Sequence, residues 1–194
     1  MEGMDTRGIL TSDTRPTTVK TRIMSGGQHL MRVDEEVDAD LETAESARML
    51  EGIRHCLDAE TVHAILIEDY DKGALSPAVI DGVLAESEKR NIPVTVDPKF
   101  RHFDLYRGVA LFKPNLKELK EGLGLHWEPG DRKARTQGIA EGLEQLESQL
   151  RPDAILLTLS EDGVRIRHGG QDDHHPAHLR EILDVSGAGD TVIA

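Results

Sequence analysis

Residues 184–190 read Asp-Val-Ser-Gly-Ala-Gly-Asp and run straight into the apolar residues Val192, Ile193 and Ala194. Small residues let a backbone come close to a ligand, and the first N–H groups of a helix have no partner within it. In that setting Gly187, Ala188 and Gly189 make an anion hole. Asp190, in the same turn, is a carboxylate base toward a hydroxyl attacking a bound phosphoryl group. Base action of this kind is worth about 10²- to 10⁴-fold in rate, and the anion hole contributes at least comparably. On composition alone the segment also reads as a flexible loop with a capping aspartate. It is not a Walker A loop, since no Gly-Lys-Ser/Thr follows. It is not a dinucleotide fingerprint either, since Gly187-x-Gly189 lacks a third glycine.

The elements that must hold such a turn alternate between strand and helix. Residues 17–24 alternate and are β-branched, Ser25-Gly26-Gly27 is a turn, and residues 28–33 return, which predicts a β-hairpin. A helix is expected over 40–57, with Leu41, Ala44, Ala47 and Leu50 on one broad face. Residues 64–67 form a short apolar strand. Ser76-Pro77 then starts a helix running to about residue 90, a capping side chain followed by proline at the first helical position. Strands are expected at 93–96, ending in Asp97-Pro98, and at 109–112, ending in Pro114-Asn115. A short helix follows from Asn115, a longer amphipathic one spans 132–150, and strands follow at 154–159 and 163–167.

Apolar strands separated by helices belong to a parallel sheet buried on both faces. The fold class is therefore α/β, a doubly wound, mainly parallel sheet with helices on both faces and a small hairpin standing apart. Ligands of such sheets sit beyond the carboxyl ends of the strands, which directs attention to residues 68–73, 97–99, 115–118 and 160–163.

Composition narrows the function further. The 194 residues are 38% hydrophobic and 30% charged, an ordinary globular balance, with aromatics at 3% so that Leu, Ile, Val and Ala must fill the core. A net charge of −13 argues against nucleic acid or an acidic membrane surface as partner, but not against a nucleotide, whose phosphates are held locally. One cysteine, Cys56, excludes intramolecular disulfides and multi-cysteine zinc sites; within its helix it reads as packing. With no apolar run of spanning length and no signal-peptide core near Met1, the expected compartment is the cytoplasm. His174, His175 and His178, near Asp172 and Asp173, read as a solvated loop rather than a metal site, and Trp127 as a cover over a helix end.

The 184–190 turn resembles the Asp-Thr-x-Gly-Ala-Gly-Asp signature of the ribokinase-like (PfkB) carbohydrate kinases, with Val185 where threonine is usual. The resemblance implies that Asp190 is the catalytic base, that the amides of Gly187, Ala188 and Gly189 cradle the γ-phosphate of ATP, and that Asp184 lies near a monovalent-cation site, such as one for K⁺. Asn115-Leu116-Lys117-Glu118 resembles the family's Asn-x-x-Glu motif, which implies that Asn115 serves the nucleotide and Glu118 organises Mg²⁺ through water; Asn115 also reads as a plain helix cap. Residues 158–163 resemble the nucleotide turn Thr-x-Gly-x-x-Gly, with Thr158 and Gly163 in place and Ser160 replacing the first glycine.

Four further blocks, 15–22, 28–34, 68–73 and 96–99, are similar to those of the kinases of D-glycero-β-D-manno-heptose 7-phosphate, and the likeness runs from about residue 15 to 194. It implies transfer from ATP to the anomeric hydroxyl, giving the 1,7-bisphosphate used for ADP-heptose and lipopolysaccharide. The alternatives are another sugar of the same chemistry (ribose, fructose or a fructose phosphate), or a non-catalytic nucleotide- or sugar-binding module. A 7-phosphate needs a cation, which assigns Lys99, and less directly Lys72, to the substrate. The hairpin, residues 17–33, corresponds to the family's lid, which implies a homodimer.

The family also has a substrate-binding strand and a Gly-Gly-x-Asn-type motif before the hairpin, and helices completing an adenine pocket after the Gly-Ala-Gly-Asp turn. Neither is found within residues 1–194, so the chain reads as one partial kinase domain from which little or no turnover is expected on its own. The His-x-Gly-His motif of the adenylyltransferase sometimes fused to these kinases is absent.

Overall fold

The computed structural model describes residues 6, 8–26, 28–128, 130–177, 192 and 193. Two sheets are present. β1 (Val19–Ser25) and β2 (Gln28–Glu35) form an antiparallel hairpin, and six further strands form the main sheet in the order β3-β4-β5-β6-β7-β8. β3 (Ile65–Glu68), β4 (Val94–Asp97), β5 (Leu111–Phe112) and β6 (Ala154–Thr158) are parallel, while β7 (Val164–His168) and β8 (Gln171–His175) continue the sheet antiparallel. The helices are α1 (Thr43–Ala59), α2 (Pro77–Arg90), α3 (Leu116–Leu123) and α4 (Arg132–Leu150). The class is the expected one, α/β with a mainly parallel sheet.

Local chemistry sets the helix bounds. Ser76 caps α2 by accepting from Val79 N, Pro77 takes the first turn, and Asn91 ends the helix in the left-handed conformation that asparagine tolerates. Asp131 caps α4 in the same way, accepting from Ala134 N. Val79, Ile80, Val96, Phe112, Leu119, Leu143, Leu146 and Leu157 are fully buried, so α2, α3 and α4 share one core with the strands. Phe103 meets Phe112 edge to face at 5.0 Å, one of the few aromatic contacts such a composition permits. Against the core, α1 packs on α2 closely enough that a Cβ at Gly82 would lie 2.4 Å from a Leu50 methyl. Trp127 lies on α4 at Gly138, within the helix rather than over its end, with the Lys120 ammonium 4.3 Å from its ring centre. Among the described residues no helix is long and apolar enough to cross a membrane.

Two expectations change. The hairpin runs two residues later than 17–33, because Lys20 pairs with Asp34 across the strands at 3.2 Å and Val19 faces Glu35. Residues 171–175 form strand β8 rather than a loop. Gly169 and Gly170, at φ +58° and +77°, make the two-residue turn, and Arg165 holds Asp172 across the ladder through two hydrogen bonds of 3.1 and 2.7 Å. His174 Nε2 donates to the Asp162 carbonyl (2.7 Å), and no group of three metal-binding side chains occurs among the described residues. His178 lies outside them.

The turn between β6 and β7 is tightly specified. Gly163 sits at φ +90°, ψ −135°, and a Cβ there would lie 2.1 Å from the His175 carbonyl oxygen. Ser160 adopts φ +53°, the left-handed conformation its glycine counterpart in the resembled motif takes freely. Gly163→Ala is expected to cost at least about 2 kcal/mol, since left-handed strain and overpacking each cost on the order of 1–3 kcal/mol. Ser160→Gly should be neutral or stabilising. Thermal unfolding by circular dichroism checks both; an unchanged midpoint for Gly163→Ala contradicts this turn geometry.

Candidate active site

Parallel pairing brings the carboxyl ends of β3, β4, β5 and β6 to one edge. Backbone bonds bind the segments leaving that edge to one another: Asp69 N donates to Asp97 O (3.1 Å), Lys113 N to Val96 O (2.9 Å) and Thr158 N to Pro114 O (3.0 Å). Each connection therefore leaves the sheet beside its neighbour, and the side chains at those points meet.

Lys113, immediately after β5, is buried with its ammonium 2.8 Å from Asp97 Oδ2 at the end of β4. The other oxygen of Asp97 lies 3.8 Å from the Lys99 ammonium. Lys99 in turn donates to Glu118 Oε1. Glu118 is itself buried, and its Oε2 accepts from Asn115 N at 2.8 Å while its own N–H donates to Asn115 Oδ1 at 2.9 Å. This reciprocal capping box starts α3. The helix-cap reading of Asn115 is thus correct, and it uses only one oxygen of Glu118. The result is a row of alternating charge, Lys113, Asp97, Lys99 and Glu118, along the strand ends. Burial pulls the Lys99 pKa down, but the hydrogen bond and charge of Glu118, with Asp97 and Asp69, outweigh it and leave the ammonium held above its usual range.

At the end of β3, Asp69 is buried and accepts from Tyr106 Oη at 2.8 Å and from Asp71 N at 2.8 Å. Lys72 lies farther out: its ammonium is 2.5 Å from Glu36, at the root of the hairpin, and Glu36 also takes Lys20 at 3.2 Å. Arg15 reinforces the same root by donating to the carbonyls of Val37, Ala39 and Lys72. Of the two lysines nominated from sequence, Lys99 therefore sits in the charge row and Lys72 at the hinge of the hairpin.

A cleft of about 940 Å³ opens beside this row, lined by Asn115, Lys117, Lys120, Arg135, Thr158 and Ser160 among others. Arg135, on its wall, pairs with Asp162 at 2.6 Å. The volume lies within the range of small-molecule sites, and the wall carries Lys117, Lys120 and Arg135 together with Glu121 and Glu161. A second cleft, of about 720 Å³, lies at the amino ends of the same strands beside Asn91, Pro93, Arg107 and Asp153.

Asn115, Glu118, Lys99 and Thr158, taken from three separate sequence blocks, come together at this edge, and Ser160 and Gly163 form the adjoining turn. Asp184, Gly187, Ala188, Gly189 and Asp190 lie outside the described residues. Sequence reading did not select Lys113 or the Asp69–Tyr106 pair. The available signal was a lysine directly after an apolar strand and before Pro-Asn, where a charge without a partner is not tolerated.

A twisted, mainly parallel sheet with a detached hairpin and a polar site at the strand ends defines a ribokinase-like α/β protein. The same fold occurs in phosphofructokinase-2 from Escherichia coli in complex with fructose-6-phosphate (TM-score 0.64, 16% identity, covering 91% of this chain and 55% of that one). It also occurs in Arabidopsis thaliana ribokinase complexed with ribose and ATP (TM-score 0.58, 18% identity, covering 92% and 54%). The chain belongs to the pfkB family of carbohydrate kinases, whose model matches residues 1–194. Among curated relatives it is 41% identical over 181 residues to the bifunctional protein HldE of Azorhizobium caulinodans, covering 93% of this chain and 36% of that protein. It is 38% identical over 192 residues to HldE of Methylobacillus flagellatus, covering 99% and 38%. The chain thus spans little more than a third of the length of these relatives.

The Tyr106–Asp69 contact has a consequence for pH. Burial, then the Asp69 charge and hydrogen bond, push the Tyr106 pKa up. The folded chain therefore keeps a proton that the unfolded chain releases above about pH 10, so stability falls as pH rises past that value, by at most about 1.4 kcal/mol per pH unit from this group. Tyr106→Phe should remove that contribution to the alkaline slope. At neutral pH it should cost about 1–3 kcal/mol, because buried Asp69 loses a donor. Denaturant unfolding at pH 7 and between pH 9.5 and 11 checks both; an identical alkaline slope in the variant contradicts the assignment.

Proposed function

We propose that the protein phosphorylates heptose 7-phosphate at its anomeric hydroxyl with ATP as donor. The observation that carries this reading is the meeting of Asn115, Glu118, Lys99 and Thr158 at the strand ends beside a cleft of about 940 Å³. Identity of 33–41% to bifunctional HldE proteins supports the heptose substrate over the ribose or fructose phosphate of the more distant structural relatives.

In this reading the nucleotide lies along the cleft, with Thr158, Ser160 and Gly163 turning the backbone beneath it. Lys99 faces the sugar's 7-phosphate, and Lys72 joins it from the hairpin root. Asp190 takes the proton of the anomeric hydroxyl as that oxygen forms a bond to the γ-phosphorus and the bond to the β,γ-bridging oxygen breaks. Charge developing on the phosphoryl oxygens is met by the amides of Gly187, Ala188 and Gly189.

A hard divalent cation needs few protein ligands when a nucleotide's phosphates supply the rest, and Glu118, with one oxygen outside the helix cap, fits that need through water. Bound there, Mg²⁺ supplies charge neutralisation to the phosphates. Asp184 stands by a monovalent cation such as K⁺. The hairpin presents Val19, Ile23, Met31 and Val33 exposed on one face, which suits pairing with a second copy as a lid.

In the intact protein, Asp190→Asn is expected to lower kcat on heptose 7-phosphate by about 10²- to 10⁴-fold while leaving ATP affinity nearly unchanged. Coupled ADP release checks this, with ribose, fructose and fructose 6-phosphate run beside the heptose. An unaltered rate removes the base assignment, and faster turnover on another sugar removes the substrate. Light scattering should show a dimer; a monomer removes the lid pairing.

A further inference from the structure

We infer that Lys99 is a built-in countercation whose displacement couples nucleotide binding to capture of the phosphosugar. The inference rests on the kinase reading and adds a device that the reading does not require. Glu118 has two oxygens in different employment. Oε2 is fixed in the capping box by Asn115 N at 2.8 Å, and Oε1 holds the Lys99 ammonium. A hydrated divalent cation accompanying a nucleotide is drawn to that same Oε1. Two cations on one carboxylate oxygen repel, so the arriving charge and the ammonium compete.

The two lysines on Asp97 differ in their freedom to yield. Lys113 is 3% exposed and locked at 2.8 Å, whereas Lys99 is 33% exposed and 3.8 Å from the other oxygen. Leaving Asp97 for the interior would strand the Lys113 charge, but Lys99 moves outward on a flexible four-carbon stem. Lys99 is therefore the member of the row that gives way. Once off Glu118 it stays tethered near Asp97 at the β4 end, with an ammonium newly free for an anionic group. An ordinary lysine ammonium is charged throughout neutral pH, so the change is one of position rather than protonation. The empty-handed ammonium then meets the sugar's phosphate. By linkage, the phosphosugar favours the nucleotide-bound arrangement by the same factor.

The test is calorimetric titration of the intact protein with Mn²⁺ and a non-hydrolysable ATP analogue, with and without heptose 7-phosphate. In the wild type, the Mn²⁺–nucleotide pair should tighten heptose 7-phosphate binding at least about 5-fold, the lower end of ordinary coupling. Lys99→Met, which removes the competing ammonium, should bind the Mn²⁺–nucleotide pair more tightly by a similar factor of about 5 and lose the coupling. Lys99→Arg, which keeps the charge, should bind the pair no more tightly than the wild type. Independent binding of the two ligands by the wild type overturns the inference even if Lys99→Met does not fold. Equal or weaker Mn²⁺–nucleotide affinity in a folded Lys99→Met overturns it as well, while leaving the kinase reading intact. A wild type that binds no nucleotide overturns both.

Discussion

An ammonium 3% exposed persists inside a protein only against a carboxylate, and the Lys113–Asp97 pair meets that condition at 2.8 Å. The two residues belong to neighbouring parallel strands, one at the last position of β4 and the other just past β5. Their pairing fixes how those strands end relative to each other. The row of charges at the strand ends then hangs from that junction. Asp97 has one oxygen left to hold Lys99, Lys99 reaches Glu118, and Glu118 closes the cap that starts α3. The pairing is costly in desolvation, and removing either partner would leave a buried charge uncompensated.

The sheet explains why residues far apart in sequence share this edge. Each parallel strand delivers its carboxyl end to the same side, and the bonds from Asp69, Lys113 and Thr158 to neighbouring strands remove the remaining freedom. The detached hairpin is tied to the same edge from outside, through Lys72, Glu36 and Arg15. A movement of the hairpin root is thus felt at the loop after β3. That arrangement joins the hairpin to the carboxyl edge without placing it in the core.

Much of this was legible in the residues. Ser76-Pro77 announces its helix by capping chemistry, and α4 keeps the bounds 132–150 that its periodicity predicts. Asn115 was readable as a helix cap, and its capping box leaves Glu118 Oε1 to Lys99. β8 was not legible, since Gln171, Asp172, Asp173, His174 and His175 carry no apolar alternation; its pairing comes from the Gly169-Gly170 turn and the Arg165–Asp172 contact. Lys113 and Tyr106 were missed for a related reason. Their partners, Asp97 and Asp69, lie 16 and 37 positions away, and only the parallel register brings them together.

The central claim is that the carboxyl edge of the sheet, organised by the Lys113–Asp97 pair, is where the nucleotide binds. Amide hydrogen exchange on the intact protein, with and without a Mg²⁺-bound ATP analogue, tests it most directly. The account predicts added protection in residues 113–118 and 158–163, and no change around Asn91, Arg107 and Asp153 at the opposite edge. Protection at the opposite edge, with 113–118 and 158–163 unaffected, would contradict it.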